Sequence, residues 1–182
     1  MKMTTVKKSV ITAICIALCV VLPLAFHAIP NAGSVFCPMH IPVLLCGLIC
    51  GWQFGLVCGL SGPLLSSLMT GMPPAAILPA MMVELAFYGV ITGLLMNLVH
   101  TRSTYADLYI SLVIAMLGGR VLSGAAKALI FAKGSISLSM WAASSFVTSF
   151  PGIIIQLVLI PSLVFALMKS NLIPRRYPKS EE

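Results

Sequence analysis

Charged side chains are scarce in this sequence. Only 8% of its 182 residues are charged, and just four of them are acidic, whereas a soluble domain carries about 25% charged residues. The hydrophobic fraction is 59% and the mean hydropathy is +1.07. So few charges cannot cover a water-facing surface, which excludes an ordinary soluble domain and predicts an integral membrane protein in a lipid bilayer.

Several functional signatures are also missing from the sequence. It contains no P-loop, no linker to a second domain, and no nucleophile motif with a base at a helical offset, so we expect neither an enzyme nor a cofactor. The six cysteines mostly lie inside apolar runs, where cysteine behaves as a small hydrophobe rather than as part of a disulfide framework. No clean cleavage site follows the first apolar run, which predicts a retained first span.

The excess of positive charge lies at the two ends of the chain. The net charge is +7, and most of the cations precede the first apolar run or follow the last one: Lys2, Lys7, Lys8, Lys169, Arg175, Arg176 and Lys179. Basic flanks of this kind hold the ends of a membrane protein in the cytoplasm. We therefore interpret the charge as a topology signal, with both termini cytoplasmic, and not as a nucleic-acid surface.

Turn signals divide the apolar sequence into six predicted spans within a single membrane domain, 1–182. The fold class is therefore predicted as an all-α, compact bundle of six transmembrane helices, with spans at about 10–26, 39–50, 52–70, 79–99, 108–131 and 140–168.

The break between the second and third spans is the weakest of these divisions. Gly47, Gly51, Gly55 and Gly59 recur every four residues, a spacing that could equally form one close-packing face of a single long helix. Two basic termini on one side of the membrane require an even number of spans, which favours a break near Gly51. The loops at 27–39, 71–79 and 132–139 then face outward.

Three charged side chains fall inside the predicted spans, namely Glu84, Arg120 and Lys127. Such residues are costly in lipid and mark functional sites by default. Glu84 and Lys127 lie roughly 8 Å and 6 Å below the outer ends of their helices, and Glu84 shares a helical face with Tyr88. The set predicts a net positive pocket that opens outward and accepts an anionic or carbonyl-rich ligand. In the alternative interpretation, Glu84 and Arg120 form a structural ion pair while Lys127 reaches the surface.

Polar residues outside this set offer two further candidate contacts. The stretch "CPMH" places Cys37, Met39 and His40 at the start of the second span, where they could bind a soft metal or face a ligand. Of the other outer segments, only one offers a further soft ligand, His27, which weakens the metal interpretation. Gln156, in the last span, could form a hydrogen bond across helices or contact a ligand.

Three segments in order resemble the substrate-binding (S) component of an energy-coupling factor (ECF) transporter, a vitamin-uptake branch of the ABC importers. Ala13-Ile14-Cys15-Ile16-Ala17 matches the AxxxA element of the family's first span. Residues 39–74 resemble its second and third spans, although Gly51-Trp52-Gln53-Phe54-Gly55 lacks the proline often found in that turn. "MLGGRVLSG" at 116–124 is similar to its fifth span. Together these segments extend over most of the chain.

The resemblance implies a specific function. Such proteins bind one vitamin or precursor near the outer surface and hydrolyse nothing, while a transmembrane coupling (T) component and two cytoplasmic ABC ATPases complete the importer. Carried over by position, Ala13 and Ala17 would contact the partner. The loop 27–40 would form a lid that brings Asn31, Met39 and His40 to the ligand.

Several alternatives stay open at this point. Two cations against one acid favour a carboxylate such as pantothenate, while a small neutral ring such as pyridoxine or a thiamine precursor also fits. Competing functions are a Co, Ni or Cu permease built on Cys37, Met39 and His40, an intramembrane enzyme using Glu84 and His40, and a scaffold. We expect a multi-pass protein of the bacterial cell membrane.

Overall fold

The chain is helical throughout the part that its computed structural model describes, residues 3–26, 32–131, 147–174 and 177. Seven helices occur in these ranges: α1 (Thr5–Ala25), α2 (Ala32–Phe36), α3 (His40–Cys50), α4 (Trp52–Thr70), α5 (Leu78–Leu98), α6 (Thr104–Phe131) and α7 (Phe150–Lys169). No strand is present in the same residues. The predicted all-α class is confirmed.

The lengths and compositions of these helices suit a membrane protein. Four stretches are long and apolar enough to cross a bilayer, and α3 is a shorter apolar helix: the four are Thr5–Ala25, Leu78–Leu98, Thr104–Ala125 and Phe150–Lys169. Six of the helices in the described ranges have eleven residues or more. The side of the membrane on which each terminus lies stays a prediction from the basic flanks.

A single residue, Gly51, separates α3 from α4. Its φ of 96° lies in a region that glycine adopts at little cost and other residues avoid, so the chain can turn sharply there. Gly47 in α3 and Gly55 in α4 instead allow close helix packing, because a Cβ atom on either would overlap the backbone carbonyl of Gly89 in α5. The glycine spacing therefore reflects both interpretations: one position makes the turn, and others let three helices approach closely.

Helix α1 packs against α3 and α4 through one face. Its buried residues are Thr12, Cys15 and Cys19, and Cys19 is one of several cysteines in the hydrophobic core. Ala13 and Ala17 lie on the other side of the helix and are exposed. A stripe of small side chains on α1 is therefore left uncovered by the rest of the described structure.

The short helix α2 is held against the start of α7. A Cβ atom on Gly152 would lie 2.7 Å from the carbonyl oxygen of Val35 and 2.9 Å from that of Phe36, so only glycine permits this backbone approach. The last described helix begins at Phe150 and follows a turn at Ser149. The start predicted for this span, near Met140, lies outside the described residues.

A buried carboxylate lies at the opposite end of the bundle. Asp107 is fully buried in the first turn of α6. Its Oδ1 accepts hydrogen bonds from the backbone N–H and the hydroxyl of Thr101, at 2.8 and 2.7 Å, and its Oδ2 accepts one from Tyr177 at 2.8 Å. The sequence pattern placed Asp107 in the break between two spans, whereas α6 already begins at Thr104. The contact of Asp107 with Tyr177, 70 residues away, could not be read from the local pattern.

Candidate functional site

Glu84, on α5, lies between two other polar side chains, His40 and Tyr88. Its Oε1 accepts a hydrogen bond from the Tyr88 hydroxyl at 3.0 Å, one helical turn along, and lies 3.5 Å from His40 Nε2. The side chains of Glu84 and His40 are only 13% and 6% exposed. A carboxylate that is buried to this extent needs polar neighbours to offset its lost hydration, and two of them are predicted site residues.

The fold determines where these three side chains meet. His40 is the first residue of α3, and its ring centroid lies 5.2 Å from that of Tyr88. The Tyr88 ring occupies space that a side chain at Gly119 of α6 would fill, and its hydroxyl also lies 3.4 Å from the Met116 carbonyl. Tyr88 thus joins α5 to α6, and His40 joins α3 to α5.

Arg120 lies on α6 and is only 4% exposed. Its guanidinium group and the Ser149 hydroxyl are neighbours of the Cys37 thiol, in the turn that precedes α3. Burial raises the pKa of Cys37, while the positive charge of Arg120 opposes that rise. The buried guanidinium of α6 therefore lies among groups from the residue that precedes α7 and from the turn before α3.

A crevice between α6 and α7 borders Arg120. Its other lining residues are apolar: Val113, Met116, Leu117, Ile153 and Leu157. One cation in an otherwise apolar cleft suits a molecule with an acidic group on an apolar body. Glu84 does not line this crevice, although Met116, which does, lies next to the Tyr88 hydroxyl that binds Glu84.

The structure unites some of the predicted site residues and separates others. His40, Glu84 and Tyr88 are in contact, and Arg120 lies beside Cys37, three residues before His40. The Met39 side chain packs in the hydrophobic core, and the Met39 carbonyl lies 3.7 Å from the Cys19 sulfur. Asn31 and the Lys127 side chain lie outside the described residues.

The three proposed metal ligands do not converge. Cys37 lies beside the Arg120 cation, the Met39 side chain belongs to the core, and His40 faces Glu84. No group of three His, Cys, Asp or Glu side chains in the described ranges could hold a metal ion. His27, the further soft ligand that the sequence offers, lies outside those ranges.

Gln156 of α7 forms a hydrogen bond to a distant segment of the chain. Its Nε2 donates to the Cys37 carbonyl at 3.4 Å, so α7 is tied to the turn before α3. The acceptor is the backbone carbonyl of Cys37, so its thiol is not involved. Ser149, the residue that precedes α7, contacts the same turn through its hydroxyl group. From the sequence, Cys37 could be considered only as a metal ligand or a ligand contact, because nothing in the pattern shows which turn α7 will meet.

Comparison with known proteins identifies the family of this chain. The family described as "ECF transporter, substrate-specific component" matches residues 7–170. No curated protein and no solved structure gave a significant match. Since the family match extends over nearly the whole chain, this multi-pass membrane protein belongs to the substrate-specific components of ECF transporters, a family of transporter subunits and not of enzymes.

Proposed function

We propose that this protein captures a vitamin or vitamin precursor from outside a bacterial cell, with a pantothenate-like anion as the favoured ligand. The observation that carries the proposal is the position of Arg120, buried at the edge of an otherwise apolar crevice. A buried guanidinium is expensive to keep in an apolar setting. A carboxylate ligand can form paired hydrogen bonds with a guanidinium group.

The neighbouring polar group would recognise the rest of the ligand. His40 is the first residue of α3, and Glu84 and Tyr88 contact it from the middle part of α5. Hydroxyl, imidazole and carboxylate groups can donate to or accept from the hydroxyls and amide of such a molecule. The family resemblance implies that the loop at 27–40 acts as a lid, and Asn31, Met39 and Lys127 remain proposed contacts.

Delivery of the ligand requires the partner proteins of the family, a transmembrane T component and two cytoplasmic ABC ATPases. The exposed Ala13 and Ala17 of α1 support a docking role, because small side chains let a partner helix approach closely within a membrane. The buried Thr12 and Cys15 face the other way, into the protein. Ligand contacts and partner contacts therefore use different helices.

The test of ligand capture is direct binding to the purified protein in detergent. Labelled pantothenate, thiamine, pyridoxine and riboflavin are measured separately by equilibrium dialysis. We expect saturable pantothenate binding that Arg120→Met weakens at least about tenfold, a loss typical of removing a charge-assisted hydrogen bond. Arg102→Met is the matched control, because Arg102 is an exposed loop arginine. Failure of every vitamin to bind, with saturable binding of Co²⁺ or Ni²⁺ instead, would favour the metal permease.

The test of coupling uses uptake by cells that also contain the T component and ATPases. Ala13→Leu should leave pantothenate affinity intact and abolish uptake, since the added bulk separates the two helices. Ile14→Leu, at the adjacent exposed position, keeps the side-chain volume and serves as the control. Equal loss of binding and uptake in the Ala13 variant would contradict a separate docking face.

A further inference from the structure

Gln156 has hydrogen-bonding capacity that the described protein does not use. The side chain is fully buried in α7. Its Nε2 donates to the Cys37 carbonyl at 3.4 Å, while its Oε1 has no hydrogen-bond partner within the described part of the chain. An acceptor buried without a partner costs about 1–3 kcal/mol, and such atoms are rare in folded proteins. The position therefore requires a physical explanation.

The orientation of the amide is determined by its neighbour. A carbonyl oxygen can only accept, so the group facing the Cys37 carbonyl must be the NH₂ end of Gln156. Rotating the amide by half a turn would bring two acceptors together. The Oε1 atom is consequently directed away from Cys37 and stays available to a donor.

The surroundings of Gln156 belong to the candidate ligand site. Leu157, the next residue, and Ile153, three residues earlier, line the same crevice as Arg120. The Cys37 carbonyl that Gln156 binds belongs to the residue whose thiol adjoins the Arg120 guanidinium. The unused acceptor is therefore connected to the buried cation by one intervening residue.

Two other buried polar atoms in this region are also without a partner in the described residues. One is Nδ1 of His40, the ring nitrogen that does not face Glu84, on a residue that is 5% exposed. The other is Oγ of Ser123, which lies three positions after Arg120 in α6 and is 2% exposed. His40 follows Cys37 by three residues and Ser123 follows Arg120 by three, so each unpartnered atom lies on an element that contributes to the candidate site.

We propose that Gln156 is a further ligand-binding residue whose Oε1 accepts a hydrogen bond from a hydroxyl or amide N–H group of the bound molecule. The inference depends on the proposed function and narrows its ligand class. With an acidic group at Arg120 and a donor at Gln156, the preferred ligand is an acid that also carries a neutral hydroxyl or amide donor. A purely aromatic or purely hydrocarbon acid would leave the Gln156 acceptor unmet.

The test is a double-mutant cycle between protein and ligand. Pantothenate is compared with an analogue in which hydrogens replace its hydroxyls and a methyl group replaces its amide hydrogen, so that no neutral donor remains. Gln156→Leu should weaken pantothenate binding about tenfold, the equivalent of one buried hydrogen bond. The same substitution should leave the affinity for the donor-free analogue unchanged. Retained binding of that analogue also shows that the variant is folded.

Controls separate the possible outcomes. Ser162→Ala removes a polar group from an exposed position of the same helix and should change neither affinity. Unchanged pantothenate affinity in Gln156→Leu, or an equal loss for both ligands, would overturn the role of Gln156 while leaving vitamin capture in place. A wild-type protein that binds none of the vitamins would overturn the proposed function itself, and the ligand class inferred here with it.

Discussion

A methyl group added at Gly89 should destabilise the protein strongly. The Cβ atom of Gly89→Ala would overlap the carbonyl group of Gly55 in α4 and lie 2.8 Å from the Gly55 Cα. The obstructing atoms are backbone, so no side-chain rotation relieves the overlap and α4 must move away from α5. Overpacking of a core typically costs about 1–3 kcal/mol, and we expect the upper end of that range. For a chain of this size, about 3 kcal/mol corresponds to a fall in Tm of roughly 6–12 °C.

Thermal unfolding in detergent, followed by circular dichroism, measures this effect. Gly33→Ala is the matched control, because a Cβ atom at Gly33 meets nothing within 4 Å and alanine favours the helix; its Tm should equal or exceed that of the wild type. Glu84 lies on the same helix as Gly89, so movement of α5 should also weaken ligand binding. A Gly89→Ala protein that unfolds at the wild-type temperature would refute the close approach of α4 and α5.

Three further predictions concern single side chains. Tyr88→Phe removes a donor to the Glu84 carboxylate and should lower the free energy of unfolding by about 1.5–3 kcal/mol, measured in the same thermal assay; no change would show that the bond is not maintained. Burial raises the pKa of Cys37, so its thiol is protonated at neutral pH. The rate at which Cys37 is alkylated, measured by peptide mass spectrometry, should therefore still be rising at pH 9. A rate that levels off near pH 7 would contradict this. Tyr177→Phe should lower the free energy of unfolding by only about 1 kcal/mol, whereas Asp107→Ala should lower it by about 1.5–3 kcal/mol because several donors lose their acceptor. Carboxypeptidase digestion of the C-terminal segment should accelerate in both variants. Equal stability of the two variants would argue against a carboxylate shared by Thr101 and Tyr177.

The candidate site could be predicted from the sequence only in part. Glu84 and Arg120 were identifiable because a charge within an apolar run is expensive and so stands out, and Tyr88 followed from helical periodicity. His40 was identifiable as a polar residue at the start of a span, but its contact with Glu84 depends on how α3 lies against α5. The neighbours of Arg120 could not be predicted, since Cys37 and Ser149 are distant from it in sequence and no local pattern shows that they meet this side chain.

The sequence by itself determined that this chain is a helical membrane protein and a substrate-specific ECF component. Scarce charge, apolar runs of spanning length and basic flanks indicate the membrane class, because a bilayer penalises each misplaced charge locally and independently of the fold. The family is indicated by its resemblance to the segments at 13–17, 39–74 and 116–124. Tertiary structure alone decided that Gly51 turns the chain while Gly47 and Gly55 pack against α5, and that Gln156 reaches the Cys37 carbonyl. Those outcomes depend on which backbones touch, and contacts between distant segments are set by the packing of whole helices rather than by any local pattern.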